Sequence, residues 1–269
     1  MSAAFFDLDG TLTVENTGRL WFRRERAEGR LHLSQAMEAG FWLGLYGVGL
    51  MRADVALSRA VGTLAGLEED ALEERIARFY AEEVEASYAP GGLEAVKRHK
   101  EAGDKVVLLT AASVYLARCV QNTLGLDDVL ALRFEVGADG RFTGGLQQPV
   151  CYGPGKLELA HAWASSHGVD LADCSFYTDS ISDLPMLDAV GTPVAVRPDG
   201  RLTRVAKRRG WAIEDWGGDE LISDEEAEEI RSGRLRQLAA SAVRRVSRAR
   251  SRVTEARRGD GATPTEGDE

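Results

Sequence analysis

A short apolar run, Ala3–Phe6, is followed at once by two aspartates, Asp7 and Asp9, and then by Gly10. Such a run is typical of a buried strand, so both carboxylates are expected at a strand's end. One carboxylate there can attack phosphorus beside a metal ion while the other supplies a proton. An Asp-Gly pair also closes many ordinary hairpin turns. By itself, the motif leaves both interpretations open.

A second aliphatic run covers 106–113 and ends in small and hydroxyl side chains, among them Thr110. It predicts another buried parallel strand, followed by a helix over 114–124. A hydroxyl beside the first N–H groups of a helix can hold a phosphate oxygen. The alternative is that Thr110 merely caps that helix.

Two further signals carry charge. Lys156 follows Gly-Pro-Gly at the start of an amphipathic helical segment. A lone lysine is usually a solvated surface group, although this position suits contact with an anion.

A strand from Ser175 ends at Asp179, and Asp183 follows four residues later at the start of a helix. One of these carboxylates can bind Mg²⁺ while the other orients a metal-bound water or the lysine; the alternative is that Asp183 is an N-cap.

Together and in this order, the four motifs resemble those of the haloacid dehalogenase (HAD) superfamily, in particular subfamily IB, the phosphoserine-phosphatase-like branch. The resemblance covers 3–196. It implies a Mg²⁺-dependent phosphatase that works through an aspartyl-phosphate intermediate. The implied substrate is a small-molecule phosphate monoester similar to phosphoserine or histidinol phosphate.

The resemblance also implies a role for each acidic residue of the motifs. Asp7 corresponds to the nucleophile, and Asp9 to the acid that protonates the leaving alcohol and then activates water. Mg²⁺ would be held by Asp7, Asp179 and the backbone oxygen of Asp9, with Asp183 as a supporting carboxylate.

By the same resemblance, the substrate phosphate contacts Thr110, Ala111, Lys156 and Ser182. Ser182 stands where the family usually has Asn, and its hydroxyl can still donate a hydrogen bond. Phosphoserine phosphatases carry an acidic residue for the substrate ammonium soon after the first motif. The corresponding position here is Asn16, with the acidic Glu15 beside it, and an asparagine there does not favour phosphoserine.

The placement of the motifs predicts an α/β fold with a doubly wound parallel sheet. We expect a core over 1–14 and 89–222, an α-helical C1-type cap over 15–88, and a charged tail over 223–269 that is helical or disordered. Cap helices are predicted at 17–28, 34–51, 52–64 and 68–87. An antiparallel pair is predicted at 130–136 and 141–146, and the last core strands at 193–197 and 211–213.

Composition narrows the class of protein. A formal charge of −10 argues against a nucleic-acid partner. The three cysteines have no CxxC spacing, so they indicate neither a disulfide framework nor a zinc site. We expect each to be a small buried side chain in a reducing cytoplasm. Asp7 and Asp9 interrupt any apolar export signal near the first residue, so we expect a cytoplasmic protein.

Two segments leave a membrane role open. The window 40–51 is strongly apolar but shorter than the roughly 20 residues that span a bilayer. It predicts a buried cap helix, an apolar substrate wall or a shallow membrane contact. The segment 231–258 combines arginines with a narrow apolar stripe, as helices that bind anionic membrane surfaces or nucleic acid do, although a solvated, partly disordered tail has the same composition. The alternatives are therefore a lipid-phosphate phosphatase or a membrane-peripheral binding protein on the same fold.

Overall fold

The computed structural model describes residues 2–30, 57–58 and 61–217. The predictions for 34–51, for most of 52–64, for the apolar window 40–51 and for the tail 223–269 lie outside these residues. Across the described ranges, no helix is both long and apolar enough to cross a membrane.

The described chain alternates strands and helices. The strands, in chain order, are β1 (Ala3–Phe6), β2 (Lys105–Ser113), β3 (Asp128–Leu132), β4 (Phe134–Val136), β5 (Phe142–Leu146), β6 (Ser175–Thr178), β7 (Thr192–Val196) and β8 (Ala212–Glu214). The α-helices used below are α1 (Thr17–Ala27), α2 (Glu69–Phe79), α3 (Pro90–Ala102), α4 (Val114–Leu124), α5 (Pro154–His167), α6 (Leu184–Leu187) and α7 (Gly200–Arg209).

Six strands form one parallel sheet in the order β3-β2-β1-β6-β7-β8. The strand order reverses at β1, which lies between β2 and β6. In open α/β sheets, ligands bind beyond the carboxyl ends of the strands at such a reversal. This topology confirms the predicted doubly wound parallel fold and places the carboxyl end of β1 at the expected ligand site.

Helices cover both faces of the sheet because neighbouring strand residues point to opposite sides. On one face, Phe5 packs edge-on against Trp163 of α5, with ring centroids 5.4 Å apart. On the other, Phe6 stacks on Tyr177 at 4.7 Å and meets His99 of α3 at 5.9 Å. All four residues of β1 are buried, and a strand buried on both faces has a continuous apolar sequence. The apolar run therefore predicted β1 correctly.

The predicted strand 130–136 is wrong, because two strands occupy this region. Asp128–Leu132 pairs parallel with β2 in the main sheet. Phe134–Val136 pairs antiparallel with Phe142–Leu146 in a separate two-stranded sheet. The exposed Arg133 separates them. Local periodicity could not reveal this division, since it depends on partners distant in sequence.

The segment between β1 and α3 leaves and re-enters the core at neighbouring points. Thr13 forms an antiparallel bridge with Tyr88, and Val14 N donates to Ser87 O at 2.7 Å.

The prediction of a single helix over 68–87 is wrong in its second half. The α-helix α2 ends at Phe79, and a π-helical turn and a 3₁₀ turn follow it. The wider turn lies where the buried hydroxyls of Tyr80 and Tyr88 hydrogen bond at 2.8 Å.

The cysteines differ in burial. Cys151 and Cys174 are buried in the core beneath one face of the sheet, as predicted. Cys119, on α4, is only half-buried, so the expectation of burial is wrong for this residue. Its helix packs one side against β2 and β3 and leaves the flanking positions partly exposed.

Candidate active site

Asp7 and Asp9 lie directly beyond β1, in a wide turn over Leu8–Leu12. Asp7 is 7% exposed; its N–H donates to Tyr177 O at 2.9 Å, and its Oδ1 accepts from Leu8 N at 2.8 Å. The Asp9 carboxylate accepts from Thr17 N, the first residue of α1, at 2.5 Å. A helix N-terminus favours an anion, so α1 fixes the direction of the Asp9 side chain. The hairpin interpretation of Asp-Gly is therefore wrong.

Gly10 brings the opening motif against Asp179. Its φ is +70°, a conformation that glycine adopts readily. A Cβ at this position would collide with the Asp179 carboxylate. The carboxylate thus occupies the space left by the missing side chain, and the two acidic motifs meet at the edge of the sheet.

Lys156 lies in the first turn of α5 and is 2% exposed. Its Nζ is 3.1 Å from Asp7 Oδ1 and 2.7 Å from Asp183 Oδ2. Burial alone would lower the pKa of Lys156, but Asp183 and Asp7 outweigh burial and hold its pKa above the usual value. The interpretation of Lys156 as a solvated surface group is wrong, because the fold encloses its ammonium between two carboxylates.

Asp183 is 1% exposed and also accepts from Thr178 Oγ1 at 2.7 Å. It precedes α6 but makes no side-chain capping bond, which excludes the N-cap interpretation. Ser182 Oγ lies 2.9 Å from Ser180 Oγ and 3.5 Å from Asp183 Oδ1. It also hydrogen bonds with the side chain of Tyr152, which precedes α5, so Ser182 lies where the loop after β6 meets the start of α5.

Thr110 is fully buried, and its Oγ1 accepts from Ala112 N at 3.0 Å. Strand β2 continues past it to Ser113, whose side chain caps α4 by accepting from Leu116 N at 3.4 Å. The capping interpretation of Thr110 is therefore wrong. Ala111 lines a cavity beside Asp9.

The cluster carries more negative than positive charge. Burial raises the pKa of Asp7 to about 7 against the attraction of Lys156. Burial, assisted by the nearby Asp183, raises the pKa of Asp179 to about 6. Burial also raises the pKa of Asp9. Four carboxylates thus outnumber the Lys156 ammonium and the Arg197 guanidinium, which interacts electrostatically with Asp179. A bound cation stabilises a site with this balance of charge.

The donor chemistry fits Mg²⁺, which prefers hard oxygen ligands and retains several waters. In the described part of the chain, no three Asp, Glu, His or Cys side chains form a metal-holding group. The predicted set requires only two side chains, Asp7 and Asp179, since its third oxygen comes from the backbone of Asp9.

Sequence reasoning missed Arg197, the first residue after β7. Its Nη2 donates to the carbonyls of Gly10, Thr11 and Thr13 at 3.0, 3.1 and 3.3 Å. Its Nη1 donates to Gly217 O at 2.9 Å, and its φ of +41° is unusual for a side-chain-bearing residue. Arg197 thus holds the loop that carries Asp9. None of the four sequence motifs includes Arg197, so the sequence did not predict this role.

A cavity of about 210 Å³ opens beside Asp9. Its other lining residues within the described part of the chain are small or apolar: Thr17, Gly18, Trp21, Leu64, Leu72, Ile76, Phe79, Ala111, Ala112, Ser113, Leu116 and Phe134. Asn16 does not line it. Instead, Asn16 Oδ1 caps α1 by accepting from Arg19 N at 2.9 Å.

The haloacid dehalogenase-like hydrolase family model matches residues 4–188. Phosphoserine phosphatase SerB1 of Mycobacterium tuberculosis is 34% identical over 80% of this chain and 71% of its own length. A histidinol-phosphatase of Neisseria meningitidis is 29% identical over 78% of this chain and 96% of its own length. A solved phospho-aspartyl intermediate analogue of phosphoserine phosphatase shares the fold, with a TM-score of 0.58 and 23% identity over 78% of this chain and 91% of that chain.

The family match covers more than half of the chain, and the mycobacterial relative is matched over more than two thirds of its length. The protein therefore belongs to the haloacid dehalogenase-like hydrolase family. The resemblance expected from the four motifs is confirmed. The predicted enzyme class, a phosphoric monoester hydrolase, is confirmed with it.

Proposed function

We propose that this enzyme is a Mg²⁺-dependent phosphatase that hydrolyses the phosphate monoester of a small metabolite through an aspartyl-phosphate on Asp7. The observation that carries the proposal is the contact between Lys156 Nζ and Asp7 Oδ1 at 3.1 Å, buried at the strand-order reversal. A carboxylate there can attack phosphorus while the adjacent ammonium neutralises phosphoryl oxygen charge. Relatives named phosphoserine phosphatase and histidinol-phosphatase support the class of substrate.

In the first step, a carboxylate oxygen of Asp7 forms a bond to phosphorus as the ester P–O bond breaks. Asp9 gives its proton to the departing alkoxide, a task that suits a carboxyl group whose pKa burial raises. In the second step, Asp9 takes a proton from a water whose oxygen bonds to phosphorus. The bond between phosphorus and the Asp7 oxygen breaks, which releases inorganic phosphate and restores the Asp7 carboxylate. The Thr17 N–H keeps the Asp9 side chain in one orientation throughout.

The surrounding residues position these groups. Asp183 and Asp7 together fix the ammonium of Lys156. We assign Thr110 and Ala111, at the end of β2, and Ser182 to the phosphate-contacting part of the site. When bound by Asp7, Asp179 and the backbone oxygen of Asp9, Mg²⁺ supplies positive charge to the phosphoryl oxygens.

The domain division is part of the proposal. We assign 1–14 and 89–222 to the core, 15–88 to a cap that covers the site, and 223–269 to an accessory tail. The close exit and re-entry of the chain near Thr13 and Tyr88 supports a cap inserted into the core. A cap that closes over Asp7 excludes bulk water from the acyl phosphate. We also assign the enzyme to the cytoplasm, from its cysteine usage.

Trapping of the phosphoenzyme tests this function. With Mg²⁺ and ethyl phosphate, acid quenching followed by peptide mass spectrometry is expected to find phosphate on Asp7. Asp7→Asn is expected to abolish both the adduct and turnover. Asp9→Asn is expected to slow both chemical steps by about 10²–10⁴-fold. The matched control is Asp70→Asn, which removes an exposed carboxylate on α2 and is expected to behave as wild type. Phosphate trapped on another residue, or full activity of Asp7→Asn, would contradict the proposal.

A lipid phosphate is the second candidate substrate, because the cavity beside Asp9 is lined mainly by apolar side chains. Turnover of lysophosphatidate in mixed micelles, compared with soluble esters, separates the two substrates. The segments 40–51 and 231–258, which suggested membrane contact, lie outside the described residues.

A further inference from the structure

The cavity beside Asp9 is formed by two groups of side chains. Trp21 of α1 and Leu72, Ile76 and Phe79 of α2 form one group, in which the Trp21 and Phe79 rings are in contact, with centroids 5.2 Å apart. The other group comes from the end of β2 and the start of α4, where Ala111, Ala112, Ser113 and Leu116 lie, and from Phe134 of β4. Among these described lining residues, only Asp9 carries a charged side chain.

The cavity lies on the side of the site where the leaving group must be. Under the proposed function, Asp9 donates its proton to the ester oxygen that departs, so the rest of the alcohol extends from the phosphate past Asp9. The Asp9 carboxylate is one of the residues that line the cavity. The group attached to the ester oxygen is therefore the part of the substrate that enters it.

Two described arginines of this region, Arg75 and Arg24, already pair with carboxylates. The Arg75 guanidinium lies 5.5 Å from the centre of the Trp21 ring, but Arg75 forms an ion pair with the buried Glu25. Arg24 pairs with Glu28, which follows α1, and with Glu82 and Glu83, which follow α2. Against the described apolar walls, away from Asp9, a substrate ammonium or carboxylate would lose water without gaining an opposite charge from the described residues, which is costly.

We propose that the cavity selects phosphate monoesters whose alcohol bears an apolar aliphatic or aromatic group next to the ester bond. This inference rests on the proposed function and narrows its substrate. Trp21 and Phe79 are the specificity-determining residues, because an aromatic wall buries apolar surface with little loss of conformational freedom. An amino-acid phosphate such as phosphoserine fits this cavity poorly, although one relative is named a phosphoserine phosphatase.

Alkyl chain length provides a direct test. With the full-length, Mg²⁺-loaded enzyme, kcat/KM is expected to rise from ethyl to butyl to hexyl phosphate by about fourfold per methylene, until the cavity is full. Phosphoserine is expected to fall below ethyl phosphate. A flat series, or phosphoserine above butyl phosphate, would overturn the inference while leaving the phosphatase function intact.

A matched pair of variants ties the selectivity to the cavity. Trp21→Leu is expected to flatten the dependence on chain length. Trp211→Leu, the same substitution at a half-buried tryptophan that does not line the cavity, is expected to retain it. Equal slopes in the two variants would contradict the assignment of Trp21.

Binding measurements keep the inference testable even without turnover. Calorimetric titration of the Mg²⁺-loaded protein with ethyl-, butyl- and hexylphosphonate, which cannot be hydrolysed as esters, is expected to give a Kd that falls with chain length. A Kd independent of chain length would overturn the inference. Absence of turnover and phosphoenzyme together with chain-length-dependent binding would instead refute only the proposed catalysis. A preference for micellar lysophosphatidate over hexyl phosphate would overturn the inference, because a glycerol unit separates its acyl chain from the phosphate ester. The reverse preference would support an apolar group next to the ester bond.

Discussion

Removing the buried ammonium of Lys156 tests the electrostatic structure of the site. Lys156→Met replaces the side chain with an apolar one of similar length and leaves Asp7 and Asp183 without their shared cation. Breaking a buried ion pair by removing one partner typically costs about 3–5 kcal/mol. For a domain of this size, each kcal/mol lowers Tm by roughly 2–4 °C, so we expect Tm to fall by about 6–20 °C at pH 8 without metal.

The matched control is Lys105→Met. Lys105 also pairs with an aspartate, Asp127, at 2.7 Å, but their side chains are 42% and 32% exposed. Exposed pairs contribute about 0–1 kcal/mol, so this variant is expected to change Tm by no more than about 4 °C. Both proteins are measured by thermal denaturation in EDTA and by initial rates on ethyl phosphate with Mg²⁺.

The dependence on pH sharpens the test. In the folded enzyme the pKa of Asp7 is raised to about 7, so at pH 5 this carboxyl is largely neutral and needs no cation. The stability difference between Lys156→Met and wild type is therefore expected to shrink from pH 8 to pH 5. The reasoning would be refuted if Lys156→Met matched Lys105→Met in Tm at pH 8, or hydrolysed ethyl phosphate at the wild-type rate.

Three further predictions concern the same site. In the folded protein the pKa values of Asp7 and Asp179 are raised from 3.8 to about 7 and about 6, so their contribution to stability is present below pH 4 and is lost as pH rises through 7. In EDTA, we therefore expect a higher Tm at pH 5 than at pH 8. At pH 8, Mg²⁺ is expected to restore the Tm of the wild-type protein but not that of Asp179→Asn. Gly10→Ala is expected to lower both activity and Tm, because the added Cβ would displace the Asp179 carboxylate. The control is Gly29→Ala, since Gly29 has a similar φ of +69° but open space around it. This control is expected to add backbone strain of only about 1–2 kcal/mol and to keep activity. Arg197→Lys loses the planar fork that donates to several carbonyls, so we expect a loss of about 1.5–3 kcal/mol in urea denaturation together with a lower kcat; unchanged values for both would contradict the role of Arg197 in holding the loop.

The sequence alone determined the fold class and the residues that meet at the edge of the sheet. Buried parallel strands read as continuous apolar runs, and the polar residues that follow them project from the same edge. For this reason the sequence pattern is sufficient to predict that Asp7, Thr110 and Asp179 lie together. The family resemblance supplied the expected roles, which the experiments above test.

Only the tertiary structure decided the environment of those residues. The depth at which Lys156 is buried depends on how α5 packs against the sheet, and the division of 128–136 into two strands depends on pairing with distant partners. The hydrogen bonds from Arg197 to the loop after β1 join residues more than 180 positions apart in the sequence. The cavity beside Asp9 likewise combines side chains from separate helices and strands. Local sequence patterns encode periodicity and turn chemistry, whereas burial and cavity shape arise only when distant segments pack together.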